Sequence, residues 1–168
     1  MSHPATIPFL IPILASILAS GCANRPDPGA TARRVGTYDG RAVAIAYAGS
    51  TQFGAWMKQQ KARHDSAKQA GDTSTVREIE QAMQAQQERF HDQAFRGTEI
   101  DDILGKIGTS LQEIRKSAGV ARLERINQPR AAGIDTVDVT DRLVALFAPD
   151  ERARKWIRDI RAKPFPAR

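Results

Sequence analysis

Cysteine is almost missing: Cys22 is the only one in 168 residues. No intrachain disulfide and no cysteine metal cluster can form. Histidine is scarce as well, with His3, His64 and His91 the only three. None stands at His-x3-His spacing or beside a cysteine, so metal-ligand spacing is lacking, and no metal is expected. No G-x-S-x-G element, P-loop or dinucleotide fingerprint occurs. Ser, His and Asp are present, but nothing places them as a triad. Gly105-Lys106-Ile107-Gly108-Thr109 lacks the preceding strand that a phosphate loop requires. Asp138 and Asp141 read as caps at a strand-to-helix junction rather than as paired acid/base carboxylates. The expectation is a chain that is not an enzyme and takes no cofactor. Aromatics make up 6% of the residues and apolar residues 41%, so a core can form but not a large one.

The charge is what the chain has in excess: 25 Lys and Arg against 19 Asp and Glu, a net +6. Such a surface suits nucleic acid, anionic lipid, or acidic or unfolded polypeptide. One long apolar run exists, residues 7–19, interrupted by Pro8 and Pro12. It is shorter than the roughly 20 residues of a membrane span and has the layout of a signal-peptide h-region. It ends in Leu18-Ala19-Ser20-Gly21-Cys22, which resembles the bacterial lipobox. Small side chains there admit the peptidase, and the thiol accepts diacylglycerol. Residues 1–6 depart from the usual signal in carrying no Lys or Arg. The resemblance implies a signal peptide over 1–21, lipidation at Cys22, and a membrane anchor on the periplasmic side of the cell envelope. Ala23 after the cysteine implies the outer membrane. Residues 22–33 then form a Pro-, Gly- and Arg-containing tether reaching on the order of 40 Å when extended. Export disfavours nucleic acid as a partner. Roughly 145 residues remain, enough for one domain.

Within 34–148 the periodicity predicts, in order, a strand over Val35–Tyr38, an N-cap at Asp39, and a helix bearing Ala42, Val43, Ala46 and Tyr47. Ser50 is the expected cap of a helical hairpin over 51–96. Its first arm repeats Phe53, Met57, Gln60, His64 and Ala67, and its second Val76, Ile79, Met83, Gln86 and Phe90, both with coiled-coil spacing. Ala70-Gly71-Asp72-Thr73 supplies the turn, and Thr75 with Glu78 resembles a capping box. A third helix, capped at Thr98, carries one continuous stripe of Ile100, Ile103, Leu104, Ile107, Leu111 and Ile114, and stops at Gly119. It is the strongest core-facing element expected. Strands over 120–126 and 133–139, a short helix over 141–147 and a basic C-terminal helix within 149–168 complete the chain. The predicted fold class is α+β: a small antiparallel or mixed sheet with a protruding coiled-coil hairpin and flanking helices.

This order resembles the Skp/OmpH family of periplasmic chaperones. Arg34-Val35-Gly36-Thr37-Tyr38-Asp39-Gly40-Arg41-Ala42-Val43 sits where the family has its opening strand and turn into a helix. Ile114-Arg115-Lys116-Ser117-Ala118-Gly119-Val120 matches a helix ending in a Gly-Val step into a strand. Val137-Asp138-Val139-Thr140-Asp141-Arg142-Leu143-Val144 matches the closing D-[IV]-T-x-x-[VL] element. The resemblance implies a homotrimer whose joined sheets carry the hairpins around a cavity for unfolded outer-membrane proteins. The hairpin here is much shorter than in well-known members, and the lipid anchor and basic terminal helix are additions. A membrane-tethered, ATP-independent holdase for unfolded envelope proteins is therefore expected, with a structural or adaptor envelope lipoprotein as the alternative.

Phe53, Trp56, Met57, Met83 and Phe90 are the candidates for client binding, because methionine and aromatic side chains repack around varied partners. Phe53 and Phe90 read better as the packing of the hairpin base, which leaves Trp56 as the best exposed candidate. Arg154, Lys155, Trp156, Ile157 and Arg158 are the candidates for a membrane surface. The same apolar side of that helix could instead pack on the domain.

Overall fold

The computed structural model describes residues 34–165. Cys22, the expected signal peptide and the expected tether lie outside them. The first element is strand β1, Val35–Tyr38, buried along its whole length. Asp39 ends it and caps helix α1, Gly40–Ala48, accepting the Arg41 N–H. Ser50 caps the first hairpin arm, α2 (Thr51–Gln69), through the Phe53 N–H. The second arm, α3 (Thr73–His91), runs into a π-helical turn at Asp92–Arg96. Asp72 rather than Thr75 caps α3, accepting both the Thr75 N–H and its hydroxyl. The expected capping box therefore starts one turn too late. A carboxylate just after Gly71, whose φ is +72°, already satisfies the first free amides.

The expected third helix is broken. It comprises α4 (Asp101–Leu104), a 3-10 turn at Gly105–Ile107, and α5 (Gly108–Ala118). Gly105 and Gly108 weaken helix propagation, and Ile107 leaves helical geometry at φ −121°. The apolar stripe is split accordingly: Ile100, Ile103 and Ile114 are buried, whereas Leu104, Ile107 and Leu111 are only partly covered. Thr98 is not the cap, because the helix starts after Ile100 with no side-chain hydrogen bond there. Gly119 does stop α5, at φ +63°.

Strands β2 (Arg122–Arg125) and β3 (Thr136–Asp138) flank β1 on opposite sides. Both pair with it in parallel, Val35 facing Arg122 on one side and Thr136 on the other. The expected antiparallel or mixed sheet is thus corrected to an all-parallel one. Its physical origin is connection length. From β1 to β2 the chain passes through the hairpin and the broken helix, a crossover long enough for parallel pairing. β2 and β3 are not neighbours, because β1 lies between them. The turn at Asn127-Gln128-Pro129 therefore opens a loop that returns the chain to the start of the sheet rather than a hairpin. Helices α6 (Thr140–Ala145) and α7 (Glu151–Arg161) close the chain, α7 capped by Asp150.

The core centres on α1 rather than on the third helix. Eight consecutive α1 residues, Gly40 to Tyr47, are buried. Ala42, Ala44 and Ala46 have side chains small enough for neighbours to approach on every side, as a helix apolar all round requires. Leu143 and Phe147 join this core, as do Ala153, Ile157 and Ile160 of α7. The C-terminal helix is thus packed into the domain. It approaches tightly at Gly49, where an added Cβ would stand 2.4 Å from the Ala153 Cβ. Tyr38 lies in the same interior, and burial, against the pull of Arg125, pushes its phenol up to about 12. The unfolded phenol ionises near 10, so the folded state loses ground as pH rises from about 10 to about 12. Tyr38→Phe should flatten that alkaline limb in denaturant titrations taken across the interval; an unchanged limb would contradict the assignment.

Candidate functional site

The hairpin arms pack on each other and meet the rest of the fold mainly at their base, on α1 and the π-helical turn. Each arm alone is a polar helix. Of α3 only Ile79 is buried, and of α2 only Gln60 and Ala67. The seam is therefore sealed toward the tip by Ala67 and Ile79 and stays open below. There the arms enclose a groove of about 850 Å³. Phe53, Trp56, Met57, Met83 and Phe90, the five client-binding candidates, all line it.

Two of the five also hold the base. The Phe53 and Phe90 rings meet edge to face, their centroids 4.8 Å apart. Both also contact the Tyr47 ring, at 5.6 and 5.7 Å, and Tyr47 in turn touches Phe147 at 5.6 Å. Trp56 stacks on Phe53 at 5.5 Å and carries the aromatic surface out into the groove. Helical spacing alone predicts Tyr47 only as one of the apolar residues on α1. Its role as the joint between hairpin and core follows from its place at the end of α1, just before the Ser50 cap.

The groove is rimmed by mixed charge. Lys58, Lys61, Asp65 and Glu80 stand on its edges. His64 bridges the arms, its Nε2 lying 3.2 Å from Glu80 Oε1 and its Nδ1 3.5 Å from Asp65 Oδ1. Hydrogen bonds from Lys61, first, and His64 hold the Asp65 carboxyl below its usual range. Among the described residues no group of three His, Cys, Asp or Glu side chains could hold a metal ion.

A second depression of about 570 Å³ lies between α1, α7 and the π-helical turn, and Phe90 belongs to both. Phe95 and Trp156, which are 53% and 48% exposed, flank it, with the Arg152 guanidinium 4.5 Å from the Trp156 ring. The five membrane-surface candidates do not share one face. Ile157 points into the core, while Trp156 faces outward. Arg154 donates to the Pro149 carbonyl, Lys155 pairs with Asp159 at 2.9 Å, and Arg158 lies 3.6 Å from Glu151. Among the described residues no helix is long and apolar enough to cross a membrane. Compared with family models, curated proteins and solved structures, the chain matches none.

Proposed function

We propose that the chain is a membrane-anchored, ATP-independent holdase on the periplasmic side of the envelope, taking unfolded envelope proteins into its hairpin groove. The observation that carries this reading is the convergence of Trp56, Met57 and Met83 with Phe53 and Phe90 on one open groove. Methionine and aromatic side chains give apolar contact without demanding one partner shape. A rim of both charge signs lets polar stretches of an extended chain lie across it.

The anchor would be Cys22, and the assembly a homotrimer of Skp/OmpH type. The outer strands β2 and β3, four and three residues long, support the second point. Strands this short gain most from partners at their edges. The alternative, a structural or adaptor lipoprotein, is favoured by the modest groove, which admits only a few side chains at a time.

Residues 23–168, which include every described element, should suppress precipitation of a denatured outer-membrane protein at stoichiometric ratio. The Trp56→Ala/Met57→Ala/Met83→Ala variant should need about tenfold more protein for the same effect, a loss of ~1.4 kcal/mol in client binding. Absence of suppression by the unsubstituted protein would defeat the holdase reading and leave the adaptor. Light scattering reads the trimer, which a monomer at micromolar concentration would contradict. Membrane fractionation of Cys22→Ser reads the anchor, which unchanged fractionation would contradict.

A further inference from the structure

Arg41 is a charged side chain only 2% exposed, and all its donors are used. Its Nε and Nη2 donate to the two Asp39 carboxylate oxygens at 3.1 and 2.8 Å. The remaining bonds go to the backbone of one short segment past α7: Nη1 and Nη2 to the Lys163 carbonyl, and Nη1 to the Pro164 carbonyl, each at 3.2 Å. The Phe165 ring then lies over the same guanidinium, 3.6 Å from Cζ to the ring centroid. Gly97 floors the ring. A Cβ there would come within 3.2 Å of Phe165 Cδ1, and the Gly97 φ of +66° already favours glycine. Beside Gly97 stands Asn127, whose Oδ1 is buried and has no hydrogen-bond partner among the described residues.

We infer that Arg41, Gly97 and Asn127 form a recognition slot for an extended X-Pro-aromatic peptide segment, and that Lys163–Phe165 is a tethered ligand occupying it. The contacts have the form of peptide recognition rather than of core packing. A fixed guanidinium reads two successive main-chain carbonyls, so the side chain of the first residue is free to vary. Proline suits the second position, because it sets an extended backbone and has no N–H to leave unpaired. An aromatic ring suits the third, stacked between a cation and a glycine floor. The unpartnered Asn127 Oδ1 calls for an N–H beyond the aromatic. The residue that follows in this chain, Pro166, has none to give. A peptide carrying an amide at that position would offer the oxygen a donor.

The probe is the peptide Ala-Lys-Pro-Phe-amide, its N-terminus capped by a fluorescent acyl label, whose terminal amide offers that N–H. A strap tethered one residue beyond α7 competes at roughly millimolar effective concentration. The chain ending at Ala162 should therefore bind the peptide about tenfold more tightly than the full chain by anisotropy, and adding Arg41→Lys to the shortened chain should remove the gain. Equal binding by the full and shortened chains, or no binding by either, overturns the proposal. Should the shortened chain fail to fold by circular dichroism, Phe165→Ala in the full chain decides. It loosens the strap while keeping the backbone, and it should raise peptide binding several-fold. A folded Phe165→Ala chain with no such rise refutes the slot.

Discussion

Replacing Arg41 with methionine should lower the unfolding free energy by about 3–5 kcal/mol. The magnitude follows from what is left behind. The Arg41 and Asp39 side chains are 2% and 8% exposed and lie 2.8 Å apart, so methionine strands the Asp39 carboxylate in a dry interior. It also leaves the Lys163 and Pro164 carbonyls without their donors and Phe165 without its cation. Because Asp39 caps α1 and its own N–H donates to Thr140 Oγ1, the damage reaches both ends of the sheet-to-helix junction. The double variant Arg41→Met/Asp39→Asn should be less destabilised than Arg41→Met alone, since asparagine keeps the cap and removes the uncompensated charge. Urea titrations read both, and the account requires a shifted midpoint at unchanged slope. A loss below about 1 kcal/mol would place the pair in the class of surface ion pairs and contradict its burial.

Ile79→Ala should cost about 2–5 kcal/mol, confined to the hairpin. Ile79 is 2% exposed and is the only fully buried residue of the second arm, in a pair of helices whose other faces are polar. Two helices of 19 residues are marginal without tertiary packing, and above their base these have only each other. Native-state hydrogen exchange should therefore show lost protection over residues 60–80. The amides of Val35–Tyr38 and Gly40–Ala48 should keep theirs, because the core around Ala42, Val43 and Leu143 meets the arms only at their base, through Phe53 and Phe90 and far from Ile79. Cooperative loss across the whole chain would show instead that hairpin and core are one unit.

Local chemistry made much of this fold readable. Val35–Tyr38, the Asp39 and Ser50 caps, the Gly71 turn and the Gly119 stop each rest on a few adjacent residues, and the hairpin rests on a period sustained over two arms. Asp72 and the Gly105–Ile107 break were harder for the same local reason. Competing caps lay within one turn of each other, and an apolar stripe persists in sequence even where glycines interrupt the helix that should display it. Strand direction was not legible. Three- and four-residue strands carry no mark of their partner, and the turn residues at 127–129 suit a returning loop as well as a hairpin. An arginine in a helix ordinarily faces water, so Arg41 by itself carries no mark of its burial. The available signal was the Asp39-x-Arg41 spacing together with a Pro-Phe segment at the far end of the chain, residues that only the fold brings together. The groove fared better, because the spacing that seams the arms also selects the side chains left over below the seam.

Phe90 lines both the hairpin groove and the depression beside α7, so on the proposed function a client chain leaving the arms would have an apolar path toward Trp156 and Phe95. Photo-crosslinking from the groove tests the proposed role most directly. With benzoylphenylalanine at position 57 in one protein and at exposed position 112 in another, each mixed with a denatured outer-membrane protein, the account predicts crosslinks from 57 and almost none from 112. Equal yields from the two positions, or none from 57 while precipitation is still suppressed, would contradict it.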